Sequence, residues 1–454
     1  MSRLVFAVLA VALAATSACQ WQAAGLPFRM FGLANIHEDE AADALYFCGD
    51  GSLDNDFVLN DNAVPVWVNG QWDTLSVFNG HVASVVRWND TLFAAGSYMA
   101  WNNDLTVRRC AFQVGNTWVP AGDFDEGIYR LRVVNNELYA LGVFNVVDGM
   151  PCKGIAKRVG GHWESVGVLN TAAQPYIQDL VEWNGTLYIT GLIGFSAQGP
   201  NHIAYLSSSG DWLPLGPGIQ GGFGFGRSLA VYNDELYVGG SIQLSAGNAG
   251  NGIMRWDGLQ FLPVGTGFQG WDGTTNTNAG AVELETHDNN LWACGTFNYA
   301  GNVPCPGIAF WDGMRWCGLP PGPELEINTI EFFHDTLFAS CHINLNGVPV
   351  NCAVRFTGSI YSDTCSVAVG IEASPSMPRS TLRAWRRGGG HIEILGVPPG
   401  HFEIALNDGA GRRLQSGTIA VQSGGSAAWE VGPLPGAYYL IEIKGVGSVR
   451  FLGP

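Results

Sequence analysis

The side chains that most often carry chemistry are scarce and scattered in this chain. The nine histidines, His37, His81, His162, His202, His287, His334, His342, His391 and His401, fall singly, with no pair at metal-ligand spacing. Lone histidines at turns are expected to be solvated. There is no Gly-x-Ser-x-Gly elbow, no His-Glu-x-x-His and no phosphate loop with Lys; Gly222-Phe223-Gly224-Phe225-Gly226 sits between strands. No catalytic or cofactor-binding residue is therefore nominated, no cofactor is called for, and a non-enzyme is the favoured reading. Asp50-Gly51-Ser52-Leu53-Asp54-Asn55-Asp56 and Asp123-Phe124-Asp125-Glu126 gather carboxylates as calcium sites do, but neither fits the twelve-residue calcium loop. Solvated turns are the preferred reading, and metal binding stays open.

The ten cysteines suit an oxidising compartment, and no Cys-x-x-Cys points to zinc. Cys48, Cys294 and Cys341 lie in apolar runs, where they read as small buried hydrophobes. Cys341, Cys352 and Cys365 are near enough in sequence to allow a local disulfide, although the pairing is not given. The chain opens with Arg3, an apolar run from Leu4 to Ala15, and Thr16-Ser17-Ala18 before Cys19, the layout of a secretory signal peptide over residues 1–18. Cys19 also admits a lipoprotein arrangement, but Thr16 stands where such sites usually carry Leu. No other apolar run approaches the ~20 residues needed to cross a bilayer. A secreted or outer-surface protein with no transmembrane segment in the mature chain is expected.

Length and composition bound the fold that must position any site. The 454 residues hold 22 Lys+Arg against 39 Asp+Glu, a net charge of −17, which disfavours nucleic acid as a partner. With 13% charged residues the chain is neither charge-disordered nor a coiled coil. Sixty-two Gly with 16 Trp, 23 Phe and 13 Tyr favour short strands joined by tight turns.

One unit recurs seven times. Its first half reads Ala44-Leu45-Tyr46-Phe47-Cys48-Gly49, then recurs around Leu92, Leu138, Leu187, Leu236, Leu291 and Leu337, at spacings of 47, 46, 49, 49, 55 and 46 residues. Each anchor is followed 24 to 27 residues later by an aromatic: Trp72, Trp118, Trp163, Trp212, Phe261, Trp316 and Tyr361. Asp257-Gly258 and Asp312-Gly313 mark turns between antiparallel strands. A unit of this length with four short strands is the size of a propeller blade. The aromatics are expected to pack between blades as core. The fold class is all-β: a seven-bladed β-propeller over residues 19–365. The ring could close within a complete last repeat, or by an N-terminal strand near Phe28 to Asn35 beside the Tyr361 strand.

The repeat resembles the kelch and galactose-oxidase-like propellers, with a Leu-Tyr-x-x-Gly-Gly strand and a later Trp, although only Gly239-Gly240 keeps the double glycine. It is more similar to repeats of exported bacterial surface proteins, through Asn184-Gly185-Thr186-Leu187-Tyr188 and Ile308-Ala309-Phe310-Trp311-Asp312-Gly313-Met314-Arg315-Trp316. The likeness covers about residues 28 to 365.

After Cys365 the repeat stops. Residues 366–454 carry 8 Lys+Arg and 6 Asp+Glu, leaving −19 for the rest. Alternating runs such as His391-Ile392-Glu393-Ile394 and Phe402-Glu403-Ile404-Ala405-Leu406 predict a small β-sandwich. Asn407-Asp408-Gly409-Ala410-Gly411-Arg412 and Leu434-Pro435-Gly436-Ala437-Tyr438-Tyr439 resemble the C-terminal sorting domain of the type IX secretion system. Ala373-Ser374-Pro375-Ser376 departs from that family's Tyr-Pro-Asn-Pro opening. The resemblance implies the type IX secretion machinery as a partner; an ordinary accessory domain is the other reading. The expected function is an exported, non-catalytic propeller that binds a glycan, polymer or protein. The alternative is a propeller enzyme, an oxidase or a glycan hydrolase or lyase, with carboxylates or histidines gathered at the channel.

Overall fold

The computed structural model describes residues 21–27, 29–52, 62–171, 173–195, 199–221, 224–270, 279–319, 327–340, 344–345, 348–349, 352–358 and 365. Beyond these it describes 383–387, 391–395, 399–408, 413–421, 426–431, 438–443 and 447–452. The signal segment 1–18, Cys341, His342, Tyr361, Asp54 and Asp56 lie outside the described residues. The chain divides into two compact units, 1–368 and 369–454. The end of the sequence repeat puts the boundary at 365/366.

The first unit is a β-propeller. Among the described residues, seven antiparallel sheets each contain one Leu anchor on their second strand. Their innermost strands are Arg29–Asp39, Val82–Trp88, Ile128–Val134, Tyr176–Trp183, Gly226–Tyr232, Gly280–His287 and Ile330–Phe333. Each adjoins the next, and the last adjoins the first, so the strands enclose a central channel.

Local chemistry explains the blade. Six of the seven hairpins leading from first to second strand turn on two residues at positive φ: Asn89-Asp90, Asn135-Asn136, Asn184-Gly185, Asn233-Asp234, Asp288-Asn289 and His334-Asp335. This is the turn whose twist matches a hairpin, and Asn, Asp and Gly tolerate it best. The second strands are buried on consecutive residues, as in Leu138–Gly142, because a blade's strand is sandwiched between two neighbours. Their closing glycines answer a steric demand. A Cβ would come within 2.1 Å of the His81 carbonyl at Gly96 and 1.9 Å of the Tyr176 carbonyl at Gly191. Both carbonyls lie at or beside a β-bulge on the inner strand, between Val82 and Ser84 and between Ile177 and Asp179.

Five of the late aromatics among the described residues are core, Trp72 is half-buried, and three of the five also tie blades together. Trp118, Trp163, Trp212 and Trp316 are buried. The indole N–H groups of Trp163, Trp212 and Trp316 donate to Ala121, Val166 and Val264 of the preceding repeat at 2.9, 2.6 and 2.9 Å. Inner-strand aromatics reach forward in the same manner, Trp88 to the Asn136 carbonyl at 2.9 Å and Tyr232 to Asn289 at 2.9 Å.

Closure uses an N-terminal strand, but an earlier one than anticipated. Trp21–Ala23 pairs with Ala353–Phe356 and completes the last sheet, with Trp21 opposite Phe356. The stretch from Arg29 belongs instead to the inner strand of the first blade. Trp21, 2% exposed with its ring 5.1 Å from that of Phe356, fills an inter-blade position. The disulfide also differs from the expected local pairing. Cys365 is bonded to Cys317, 48 residues upstream on the outer strand of the sixth sheet, while Cys352 is a buried thiol that donates to the Met30 carbonyl at 2.7 Å. Strand geometry overrode sequence proximity here: Cys365 bridges antiparallel to Cys317 across the sheet edge.

The second unit pairs a three-stranded sheet, Arg383–Arg387, His391–Leu395 and Ser426–Glu430, with a four-stranded one, Gly400–Asp408, Arg413–Val421, Tyr438–Ile443 and Gly447–Leu452. Ile392, Ile394, Ile404, Leu406, Ile419, Ile441 and Ile443 form its shared core with Trp429. This is the small sandwich that the alternating runs predict.

Candidate functional site at the channel mouth

The inner strands carry polar side chains at equivalent positions, eight residues ahead of the Leu anchor in six repeats: Ser84, Arg130, Asp179, Ser228, Glu283 and Thr329. Asn35 takes this place in the first blade, whose turn is two residues longer. The bulges put these residues where they meet the next blade. Leu131 N donates to Ser84 Oγ at 3.2 Å, Leu229 N to Asp179 Oδ2 at 2.9 Å and Leu284 N to Ser228 Oγ at 3.1 Å. Ile330 N donates to Glu283 Oε2 at 3.1 Å, and Ile36 N to Thr329 Oγ1 at 3.2 Å. Each bond satisfies an inner-strand N–H that would otherwise be buried without a partner.

Arg130 cannot accept, and the belt reorganises around it. Its Nη2 donates to Glu283 Oε1 at 2.6 Å and its Nη1 lies 3.5 Å from Asp179 Oδ2. Arg132 adds Nε to Asp179 Oδ1 at 2.8 Å and Nη2 to Oδ2 at 3.1 Å. Burial would raise the Asp179 pKa, but Arg132 and Arg130 outweigh it and hold the carboxyl below its ordinary value. Asp179, Glu283 and Arg130 thus form one buried ion-paired belt, in which Arg130 Nη1 makes an ion-pair contact with Asp179 without a hydrogen bond, and their role is structural.

Two residues further along each inner strand lies a second tier that contains His37, Arg132, Glu285 and Glu331. It faces a cavity of about 760 Å³ that opens at the end of the channel carrying the tight turns. Glu38, Asp39 and Glu40 line its edge with Arg87 and Asp90. Asp39 is buried and receives Arg87 Nε at 2.8 and 2.9 Å and the Tyr46 hydroxyl at 3.2 Å.

Glu285 and Glu331 sit on adjoining inner strands and share a hydrogen bond. Burial raises both carboxyls; Glu283 adds to each, and the charge of Glu331 raises Glu285 further. Glu331 is pushed up to about 7 and Glu285 lies well above the usual carboxylate range, so the pair retains a proton at neutral pH. Burial, helped by Arg132 and opposed by Asp39, drives His37 down to about 4, which leaves it neutral. The lining is therefore rich in hydrogen-bond acceptors and can hold or pass a proton.

Other sequence candidates fall elsewhere. Asp123 Oδ1 is held by Arg108 at 2.6 Å, and Asp125 Oδ1 caps Asn145 N and Val146 N at 2.9 and 3.0 Å, so that acidic stretch supports a hairpin. Asp50 pairs with His81 at 2.9 Å. Among the described residues no group of three His, Cys, Asp or Glu is arranged to hold a metal ion. His202 corrects the expectation of solvated histidines. It is 4% exposed, with Nδ1 accepting Ile193 N at 3.3 Å, because its left-handed backbone folds it under the loop.

No family model matches the sequence, and neither does any curated protein sequence. Among solved structures, the extracellular domain assigned to a one-component system of B. thetaiotaomicron aligns with a TM-score of 0.46 at 9% identity, over 96% of this chain. The chain spans 57% of that domain's length. YjhT aligns at a TM-score of 0.35 and 14% identity, over 63% of this chain and 96% of its own. A luciferin-regenerating enzyme aligns at 0.35 and 11% identity, over 74% and 95%. Likenesses this distant carry no argument about function.

Proposed function

We propose that this protein is an exported, non-catalytic propeller that binds a glycan carrying free amino groups, with the channel-mouth cavity as its site. The observation that carries the reading is the adjoining pair of half-buried carboxyls, Glu285 and Glu331, in the lining of an acceptor-rich cavity. An ammonium with flanking hydroxyls would replace the proton the pair retains and donate to the carboxylates of the lining. Isothermal titration of the full chain with a glucosamine hexamer tests this. Binding should weaken at least tenfold in both Glu285→Gln and Glu331→Gln; unchanged affinity in both variants would refute the site.

Export is supported by the signal-type segment 1–18 and by the Cys317–Cys365 disulfide, which suits an oxidising compartment. The C-terminal sandwich is proposed as the sorting domain that engages the type IX secretion machinery, on its sequence resemblance. Deleting residues from Ser366 onward keeps Cys365 and should abolish delivery to the surface or medium; unchanged delivery would favour an accessory binding domain.

A second reading has its own observation. Two carboxyls that hold a proton near neutral pH can serve as the general acid–base group of lyase chemistry on a glycan, whereas hydrolysis by a carboxyl pair needs a wider separation than a shared hydrogen bond allows. Product release from a polysaccharide panel, lost in Glu285→Gln, would replace the binding reading with this one.

A further inference from the structure

On the other side of the belt, at the start of the inner strands, two tyrosines form an exposed stack. The bulge between Ile128 and Arg130 leaves Tyr129 without a ladder partner, which re-aims its side chain out of the sheet. Its ring lies 6.0 Å from that of Tyr176 on the next blade, with the planes 24° apart. Tyr129 is 38% exposed and Tyr176 42%, and Leu192, which pairs with Tyr176, is 46% exposed. Among the described residues neither phenol oxygen has a hydrogen-bond partner, so these rings are not held in place for an internal polar contact.

The surroundings say what such a stack would meet. At the Tyr129 position the other inner strands present Ala34, Ala83, Gln178, Arg227, Val282 and Asn328. That tier contains small apolar groups, amides and one guanidinium but no carboxylate, in contrast to the acidic cavity at the other mouth. Burial, Tyr176 and Glu126 together raise the Tyr129 phenol, which stays neutral. Two exposed aromatic faces, with the Gln178 amide at the equivalent place on the adjoining strand, suit a ligand with apolar C–H faces and equatorial hydroxyls.

We propose that Tyr129 and Tyr176 form a second binding site, separate from the mouth cavity, that stacks the pyranose rings of an uncharged glycan chain. The site does not depend on Glu285 or Glu331, so the two proposals fail independently. Cellohexaose, xylohexaose and maltohexaose serve as probes for the full chain, with affinity read by titration calorimetry. At least one hexamer should bind, with a loss of roughly tenfold in affinity in each of Tyr129→Ala and Tyr176→Ala. Tyr129→Phe keeps the ring and should retain most of the affinity, and Glu331→Gln should leave it unchanged. Failure of all three hexamers to bind would overturn the proposal, as would full affinity in the double alanine variant.

Discussion

Replacing Asp179 by alanine should unlock the belt that joins the blades. The carboxylate has no exposure and receives Arg132 through two bonds, Leu229 N at 2.9 Å and the Ser228 hydroxyl at 3.1 Å, with Arg130 at 3.5 Å. Removing one partner of a buried charge network costs about 3–5 kcal/mol, and the orphaned Leu229 N–H alone would cost about 1–3. These overlap, and two features moderate them: Arg132, with 35% of its side chain exposed, can be rehydrated, and Arg130 keeps Glu283. The expected loss is therefore about 4 kcal/mol, and about half of that for Asp179→Asn, which keeps an acceptor for Leu229. Urea unfolding at pH 7, followed by tryptophan fluorescence, should show the midpoint fall with the slope unchanged. Because folding depresses the Asp179 pKa, its contribution is present above the unfolded value of ~3.9 and fades as pH falls through the folded one. The gap between wild type and variant should therefore narrow only in acid. A loss below about 1 kcal/mol at pH 7 would refute the view that this residue holds the ring.

Trp21→Ala should cost about 3–5 kcal/mol by emptying the closing inter-blade position, measured in the same unfolding assay. A loss typical of surface sites would mean that the strand does not close the ring. Replacing Cys317 and Cys365 together frees a loop of 48 residues and should cost up to about 4 kcal/mol, with no further effect of added reductant. Glu331 has a folded pKa raised to about 7, so its stabilising contribution is present below the unfolded value of ~4.3 and lost as pH rises through 7. Glu331→Gln should accordingly gain on wild type as the pH rises from 4 to 8; an equal difference at both would contradict the assignment.

The architecture was legible because it is written in short-range constraints. The Leu anchors, the turn residues at positive φ in six hairpins and the buried tryptophans of four repeats each answer a demand that recurs from blade to blade, so self-similarity exposes them. Closure was only half legible: Trp21 supplies an aromatic far in sequence from the last repeat, and Trp21-Gln22-Ala23 is too short to stand out as a strand. The site was not nominated at all. Glu283 and Glu285 lie in the sixth repeat and Glu331 in the seventh, and no spacing within one repeat reveals that they face a common channel. A signal existed, however. Reading the repeats as columns, in six of the seven strands the place eight residues before the Leu anchor is polar and is followed by an apolar residue. A polar residue recurring at one inner-strand position is expensive unless it is partnered across blades. The Cys317–Cys365 pair had no comparable signal, since its proximity arises from sheet pairing alone.

The central claim, that the Glu285–Glu331 pair receives the ligand, is tested most directly by carboxyl-carbon NMR of the glutamate-labelled chain during titration with the glucosamine hexamer. Resonances assigned through Glu285→Gln and Glu331→Gln should titrate near neutral pH in the free protein. They should then move to the ionised position at pH 7 as the hexamer saturates, with release of a proton. A hexamer that binds while both resonances stay unmoved, or carboxyls that titrate at an ordinary glutamate value, would contradict the account.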